Sequence, residues 1–152
     1  MKYTVHQISW SEQQHTLASL REIVFVHEQH VSAEEEWDGK DDAAIHFLAR
    51  LDDETAIGCA RLLIEPHDAE TVCHIGRVAI LREYRRQGIG KQLMKTVIAY
   101  CTEHYSDCNI YLHAQLDKRN FYSDLGFVAS GDVFMDAGIP HIEMWYRKEN
   151  VL

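Results

Sequence analysis

The chain has 152 residues, of which 46% are hydrophobic, 26% are charged and only 2 are prolines. This composition fits one folded domain of ordinary size and excludes disordered and collagen-like chains. Its 24 acidic residues outnumber its 15 basic residues, so the formal charge is −9 and the surface should repel phosphate backbones and anionic lipid heads. We therefore expect neither nucleic acid nor a membrane as a partner.

The start of the chain and its cysteines predict a cytoplasmic protein. No apolar run approaches the roughly 20 residues that cross a bilayer, and the first residues lack a charged-then-apolar signal pattern. The four cysteines form no CxxC pair and stand mostly among apolar residues, as buried thiols do. His27 and His30 lack the spacing that places two ligands one helical turn apart, so we expect no metal.

The first third of the chain is predicted to form a strand, a helix and a polar segment. Apolar and polar residues alternate over residues 2–9, and Ser11 with Glu12 begins a helical pattern. Residues of the inner helix face recur every three or four positions: Leu17, Leu20, Ile23, Val24 and His27. Six acidic residues against Lys40 break this period over Ser32–Asp42, which predicts a solvated loop or a short polar helix.

The middle of the chain is predicted to form an antiparallel meander and then a strand-helix-strand unit. The three β-rich runs are Ile45–Leu51, Ile57–Ile64 and Val72–Leu81, and turn-like residues separate them. Apolar residues on one face predict a helix from Gly88 to His104, and a strand at Asn109–Ala114 follows it. The strands on either side of this helix should therefore be parallel, with a right-handed crossover.

The last part of the chain is predicted to form a short helix and two strands. Asp117 is placed to cap the helix, which Gly126 ends, and the strands cover Phe127–Met135 and His141–Arg147. No repeat or linker divides the chain, so we assign residues 1–152 to one domain. The fold class is α/β or α+β, with a mixed, mostly antiparallel sheet flanked by helices.

A glycine turn stands between the third strand of the meander and the long helix. It reads Arg85-Arg86-Gln87-Gly88-Ile89-Gly90-Lys91. Glycines at a helix start let a phosphate approach the backbone N–H groups, where the helix dipole favours negative charge. Gln92 departs from the Walker pattern and Leu93 departs from the dinucleotide fingerprint. The alternative is a plain turn that begins a helix and binds nothing.

Two motifs, in this order, carry a resemblance to a known family. The pattern Arg85-x-x-Gly88-x-Gly90 follows the strand end Arg77-Val78-Ala79-Ile80-Leu81, and Asn120-Phe121-Tyr122-Ser123-Asp124-Leu125-Gly126-Phe127 stands further along. Together they resemble the two signatures of the GNAT superfamily of N-acetyltransferases. The order of predicted strands and helices also agrees with that fold over nearly the whole chain. The resemblance implies transfer from acetyl-CoA as cosubstrate.

The resemblance also implies where acetyl-CoA binds. Backbone N–H groups of Gln87 to Lys91 would hold the pyrophosphate, and the pantetheine would pair with the strand residues Val78, Ala79 and Ile80. Arg85 or Arg86 would help to neutralise the phosphates. The alternative for these two arginines is a solvated surface pair.

Tyr122 resembles the general acid of the superfamily. A phenol can donate a proton to the departing thiolate, while a backbone N–H near Ile80 would polarise the thioester carbonyl. The alternative is that Tyr122 is a packed aromatic residue of the short helix, beside Phe121.

His141 follows Gly138-Ile139-Pro140, a run that resembles the glyphosate N-acetyltransferase-like branch of the superfamily. In that branch such a histidine acts as the general base, and imidazole can accept a proton at cytoplasmic pH. The alternative is a structural histidine at the start of a strand, with water or Glu143 as the base.

Three arginines are candidates to bind an anionic group of the acceptor: Arg21, Arg61 and Arg77. Arg77 is the strongest, because it lies on the strand beside the expected thioester. The acidic segment Glu34-Glu35-Glu36-Trp37-Asp38 would instead favour a cationic amine, although a solvated face is the preferred interpretation of that run.

These observations lead to a main hypothesis and an alternative from another class. The first is an N-acetyltransferase that acts on the primary amine of a small molecule by direct transfer in a ternary complex. The second is an acyl-CoA-binding or regulatory domain without turnover, which would need neither Tyr122 nor His141. The superfamily resemblance also suggests a homodimer.

Overall fold

A computed structural model describes residues 1–147, and its strands form a single seven-stranded sheet. The strands are β1 (Tyr3–Ile8), β2 (Ile45–Leu51), β3 (Ala56–His67), β4 (Glu70–Ile80), β5 (Asn109–Gln115), β6 (Phe127–Asp136) and β7 (Ile139–Tyr146). Their order is β1-β2-β3-β4-β5-β7-β6, and only β4 and β5 pair in parallel. The predicted mixed sheet with one parallel pair is confirmed. Residues 148–152 of the predicted domain lie outside the described residues.

Within residues 1–147, four α-helices flank this sheet. They are α1 (Trp10–Arg21), α2 (Ala33–Glu36), α3 (Ile89–His104) and α4 (Arg119–Asp124). Helix α1 continues directly into a π-helix (Glu22–Glu28), and single 3₁₀ turns cover Arg82–Tyr84 and Leu116–Lys118. Over residues 1–147, every helix is too short or too polar to span a bilayer.

The two faces of the sheet are covered to different extents. The apolar stripe of α3, which includes Leu93, Met94 and Val97, packs over the main core on one face. On the other face α1 buries Leu17 and Leu20 in a second core with residues of β2, β3 and β4. The β5, β7 and β6 end of this second face carries no helix among residues 1–147.

The segment after α1 departs from the predicted helix. In the π-helix the wider turns carry Ile23 outward to 49% exposure and keep Val24 buried, so a regular 3.6-residue period no longer applies. His27, predicted on the inner face, has a side chain that is 69% exposed. Wider turns also bring Glu28 and Gln29 to the same side as β4.

The predicted helix cap was wrong, whereas the acidic segment contains the predicted short polar helix, α2. Asp117 does not cap α4, since that helix begins at Arg119 and its N-cap, Lys118, makes no side-chain cap bond. The acidic segment 32–42 is only partly solvated, because Asp41 is 1% exposed and bonds to arginines. Charge counting along the sequence could not show these partners, which lie 20 residues away on other elements.

Strands β4 and β5 separate part-way along their length. Their pairing runs from Val72 with Asn109 to Ile75 with Leu112, while β4 continues to Ile80 and β5 to Gln115. An extra residue in β4 shifts its register against β3 in the same region, and Arg77 has a φ of 49° there. Such a bulge bends a strand and ends regular pairing. The separation opens a cleft in the sheet.

Candidate active site

The cleft has a volume of about 810 Å³ and collects residues from distant parts of the chain. Its walls come from the π-helix, the free part of β4, the glycine turn, α4 and the β6–β7 turn. A cavity of this size accommodates a drug-sized or cofactor-sized ligand. We therefore treat it as the candidate active site.

The free edge of β4 presents backbone groups to this cleft. The N–H of Leu81 donates to the carbonyl of Ile57 on β3 at 2.9 Å, so the polar groups of Ile80 point the opposite way, into the cleft. Val78, Ala79 and Ile80 all line the cleft, and Arg77 stands at its bulge. This edge can accept another extended chain.

The glycine turn places the start of α3 at the same cleft. Gly88 is the N-cap with a φ of 84°, a conformation that L side chains rarely adopt, and no side chain caps the helix. By contrast, the hydroxyl of Ser32 caps α2 by accepting from the N–H of Glu35. The first N–H groups of α3 thus remain available to a ligand, and an anion suits that position.

Arg85 has a different role from the predicted phosphate contact. Its guanidinium donates to both carboxylate oxygens of Glu28 at 2.6 and 2.7 Å, and its Nε donates to the carbonyl of Ile80 at 2.8 Å. The hydrogen bond from Arg85 lowers the pKa of Glu28. With these donors engaged, Arg85 ties the glycine turn to β4 and the π-helix.

Some of the other side chains of the turn line the cleft, and the rest point away from it. Arg86, Lys91 and the nearby Lys118 line the cleft, and none of them has a carboxylate partner within residues 1–147. The side chain of Gln87 turns back to the carbonyl of Glu83, and Ile89 is buried in the core. Only the backbone groups of these last two residues can therefore meet a ligand in the cleft.

Tyr122 lines the cleft from α4. It is 9% exposed and packs edge-on between Phe121 and Phe127. Burial raises the pKa of Tyr122, so its hydroxyl stays protonated at neutral pH. Among residues 1–147 no group bonds to this hydroxyl, which leaves its proton for a ligand.

His141 lines the cleft from β7, which begins at Ile139 after a hairpin turn made by Ala137 and Gly138. Its Nδ1 lies 2.7 Å from the carbonyl of Ile139. A carbonyl can only accept, so Nδ1 carries the hydrogen and Nε2 is left with the lone pair. The ring stacks on Phe134, which fixes its orientation.

The three candidate arginines pair with three carboxylates of this chain, those of Glu36, Asp38 and Asp41. Arg61 donates to Asp38 at 2.7 and 2.9 Å and to Asp41 at 3.2 Å. Arg77 forms ion pairs with the carboxylates of Glu36 and Asp38. It also donates a hydrogen bond to the backbone carbonyl of Glu36 at 2.8 Å. The positive charges of Arg61 and Arg77 are thus balanced by the segment that follows the π-helix.

Arg21 does not line the cleft, contrary to its predicted role in acceptor binding. It is 1% exposed, and it donates to Asp41 and Glu36 at 2.7 Å each. A fully buried guanidinium with two carboxylate partners has no donor to offer an acceptor molecule. Arg21 instead anchors the acidic segment to α1.

These contacts determine the charge state of the acidic segment. Burial alone would raise the pKa of Asp41, but hydrogen bonds and charges from Arg21 and Arg61 outweigh it and lower that pKa. Arg61 and Arg77 likewise hold the pKa of Asp38 well below its usual range against the effect of burial. Both carboxylates are therefore ionised at neutral pH.

Sequence reasoning missed several residues of the cleft. Gln29 and Gln115 exchange amide hydrogen bonds at 2.9 and 3.1 Å, which joins the π-helix to the end of β5. His74 and His113 line the cleft from β4 and β5. The alternation of β5, with Leu112 and Ala114 in the core, would have placed His113 and Gln115 together on the opposite face.

Comparison with known proteins agrees with this geometry. Residues 4–127 match the Acetyltransferase (GNAT) family. The chain belongs to that family. Its members use acyl-CoA, which agrees with the uncapped helix start and the free strand edge.

Individual family members are similar over nearly the whole chain. Protein ElaA of Escherichia coli is 38% identical over 134 residues, which cover 87% of this chain and 86% of ElaA. Superposition on the crystal structure of ElaA gives a TM-score of 0.85 at 33% sequence identity. The aligned part covers 96% of this chain and 100% of the ElaA chain. An acyl-CoA N-acyltransferase from Pseudomonas aeruginosa gives a TM-score of 0.82 at 32% identity, with 96% and 99% covered.

Proposed function

We propose that the protein is an N-acetyltransferase that moves an acetyl group from acetyl-CoA to the primary amine of a small molecule. The observation that carries this proposal is the meeting, in one cleft, of the free edge of β4 and the uncapped start of α3. Tyr122 and His141 line the same cleft. A protein that only bound acyl-CoA would need no proton donor or acceptor there.

The described residues fit CoA by charge and by shape. The phosphates would meet the N–H groups from Gly88 to Lys91, with Arg86 and Lys118 as free cations beside them. The amide groups of the pantetheine would pair with the free edge of β4 around Val78, since the carbonyl of Ile80 already accepts from Arg85. This assignment follows from the separation of β4 and β5, because a continuous sheet would leave no edge to pair.

The proposed reaction is a direct displacement within a complex of both substrates. His141 would accept a proton from the substrate ammonium at Nε2, and the amine nitrogen would then bond to the thioester carbon. The backbone N–H of Ile80 would stabilise the oxyanion. As the carbon–sulfur bond breaks, Tyr122 would give its proton to the thiolate, which leaves as free CoA. The amide nitrogen would release its remaining extra proton, which restores the Tyr122 hydroxyl, and His141 would pass its own proton to solvent.

Three further points belong to this proposal. The position of His141 in the cleft supports the resemblance to the glyphosate N-acetyltransferase-like branch. All four cysteines are thiols and three of them are buried, which supports a cytoplasmic location. The edge strand β6 exposes Val128, Val133 and Met135, which supports a homodimer through this edge.

A free-thiol release assay with acetyl-CoA tests the proposed function. The panel contains amino acids, amino sugars, linear amines and peptides, with a reaction that lacks acceptor as the control for hydrolysis. We expect acceptor-dependent release of CoA and an acceptor that gains one acetyl group by mass spectrometry. Thermal stabilisation by acetyl-CoA without release on any acceptor would instead identify a binding domain without turnover.

A further inference from the structure

The cleft continues onto an aromatic surface on the half of the sheet that α1 leaves uncovered. We call it the aromatic face, and it comprises Glu65, His67, His74, Tyr111, His113, Glu143 and Trp145. Tyr111 stacks on His74 at 4.3 Å and on Trp145 at 4.8 Å between ring centres. Phe134 links this face to the cleft, because its ring contacts both His113 and His141.

Glu143 carries the negative charge of the aromatic face nearest to the cleft. Its carboxylate accepts from the indole N–H of Trp145 at 2.9 Å and from Nε2 of His113 at 3.3 Å. The indole is a neutral donor, and within residues 1–147 no Lys or Arg pairs with Glu143. A carboxylate has further acceptor positions beyond these two bonds.

The arrangement of the remaining charges separates the two ends of the cleft. At the glycine turn Arg86, Lys91 and Lys118 have no carboxylate partners among the described residues, whereas Arg61 and Arg77 are already balanced. Three cations without carboxylate partners therefore lie where CoA phosphates would bind. Asp117 and Asp136 line the cleft itself, and Glu143 adds a carboxylate beyond His141, on the same side of β7.

The spacing fits a short, linear molecule. His141 and Glu143 are on the same side of β7, two residues apart, which corresponds to about 7 Å along a strand. The side chain of Glu143 is 30% exposed. The half-buried indole of Trp145 also attracts cations and alkyl chains, whereas Tyr111 is buried between His74 and Trp145. A second ammonium at this distance would meet both a carboxylate and ring faces.

We propose that the acceptor is a linear diamine whose second ammonium binds Glu143 on the aromatic face while the reacting amine lies at His141. This inference rests on the proposed acetyltransferase function. An acceptor with a carboxylate at its far end would meet Glu143 with like charge, and an uncharged end would gain no ion pair.

The test compares three amines of similar length with the full chain: putrescine, butylamine and γ-aminobutyrate, whose far ends are cationic, apolar and anionic. We expect kcat/KM to be about tenfold higher for putrescine than for butylamine, which corresponds to one charge-assisted hydrogen bond. γ-Aminobutyrate should be the poorest acceptor. The preference should appear mainly in KM, since the second ammonium is remote from the reacting atoms.

Glu143→Gln should reduce the putrescine-to-butylamine ratio by about tenfold, while Glu103→Gln, an exposed acid on α3, should keep it. A ratio near one for the parent protein, or an unchanged ratio in Glu143→Gln, would overturn the diamine inference and leave the transferase proposal standing. Absence of CoA release with all three amines and with the wider panel would overturn both. The comparison in the parent protein decides the question even if Glu143→Gln folds poorly.

Discussion

The two ends of the cleft are built in different ways. The proposed CoA end is built mostly from one continuous stretch, in which Gly88 caps α3 and Arg86 and Lys91 follow the strand end directly. The proposed acceptor end is assembled from residues far apart in the chain, such as Gln29 with Gln115, and the packing behind it joins Asp41 to Arg21 and Arg61. A backbone-based site for phosphates can be encoded locally, whereas a charge-balanced acceptor wall depends on tertiary packing.

The largest effect is expected between the two ends, where the reaction takes place. Tyr122→Phe should lower kcat by about 10²–10⁴-fold, because it removes the only proton donor proposed for the thiolate and keeps the ring. Affinity for acetyl-CoA, measured by calorimetric titration, should stay within about twofold. Tyr100→Phe, on α3 beside Phe47 and outside the cleft, is the matched control. Equal turnover in both variants would assign Tyr122 to packing alone.

The packing behind the proposed acceptor end should depend on one buried carboxylate. Asp41→Asn should lower the free energy of unfolding by about 2–3 kcal/mol at neutral pH, because Arg21 and Arg61 would each lose one of their two carboxylate partners. Its neighbour Asp42 is exposed, so Asp42→Asn should change the free energy of unfolding by less than about 0.5 kcal/mol. Urea unfolding measures both.

The pH dependence of this contribution has a definite sign. The pKa of Asp41 is lowered in the folded protein, and in the unfolded chain it is about 3.9. The stabilisation is therefore complete above the unfolded value and is lost as the pH falls through the lower folded value. The difference between the parent and Asp41→Asn should shrink in acid. A constant difference would mean that the variant acts through packing rather than through charge.

A smaller effect on rate is expected from the base. His141→Ala should lower kcat/KM by about 10²-fold near neutral pH, because it removes the proposed acceptor of the ammonium proton. His15→Ala, an exposed histidine of α1, serves as the control. Equal kcat/KM in the two variants, measured with the same acceptor, would transfer the role of base to water or to Glu143.

The same contrast explains what the sequence could predict. The strands, the long helix and the glycine turn follow from local periodicity and turn chemistry, and the structure agrees with them. The π-helix and the partners of Arg21 and Arg85 do not follow, because their contacts join residues 15 to 57 positions apart. Asp41 illustrates the difficulty, since in a run of acidic residues only tertiary contacts distinguish the buried one.

The CoA end can be tested with a pair of glycines that share one backbone conformation. Gly88 and Gly131 have φ values of 84° and 80°, and a Cβ at either position would meet no atom within 4 Å. Valine should therefore impose a similar strain of about 1–2 kcal/mol at both sites. Only Gly88→Val would place a branched side chain over the first N–H groups of α3. We expect this variant to bind CoA at least about tenfold more weakly by calorimetric titration, while Gly131→Val keeps the parent affinity. Equal affinities in the two variants would place the phosphates elsewhere.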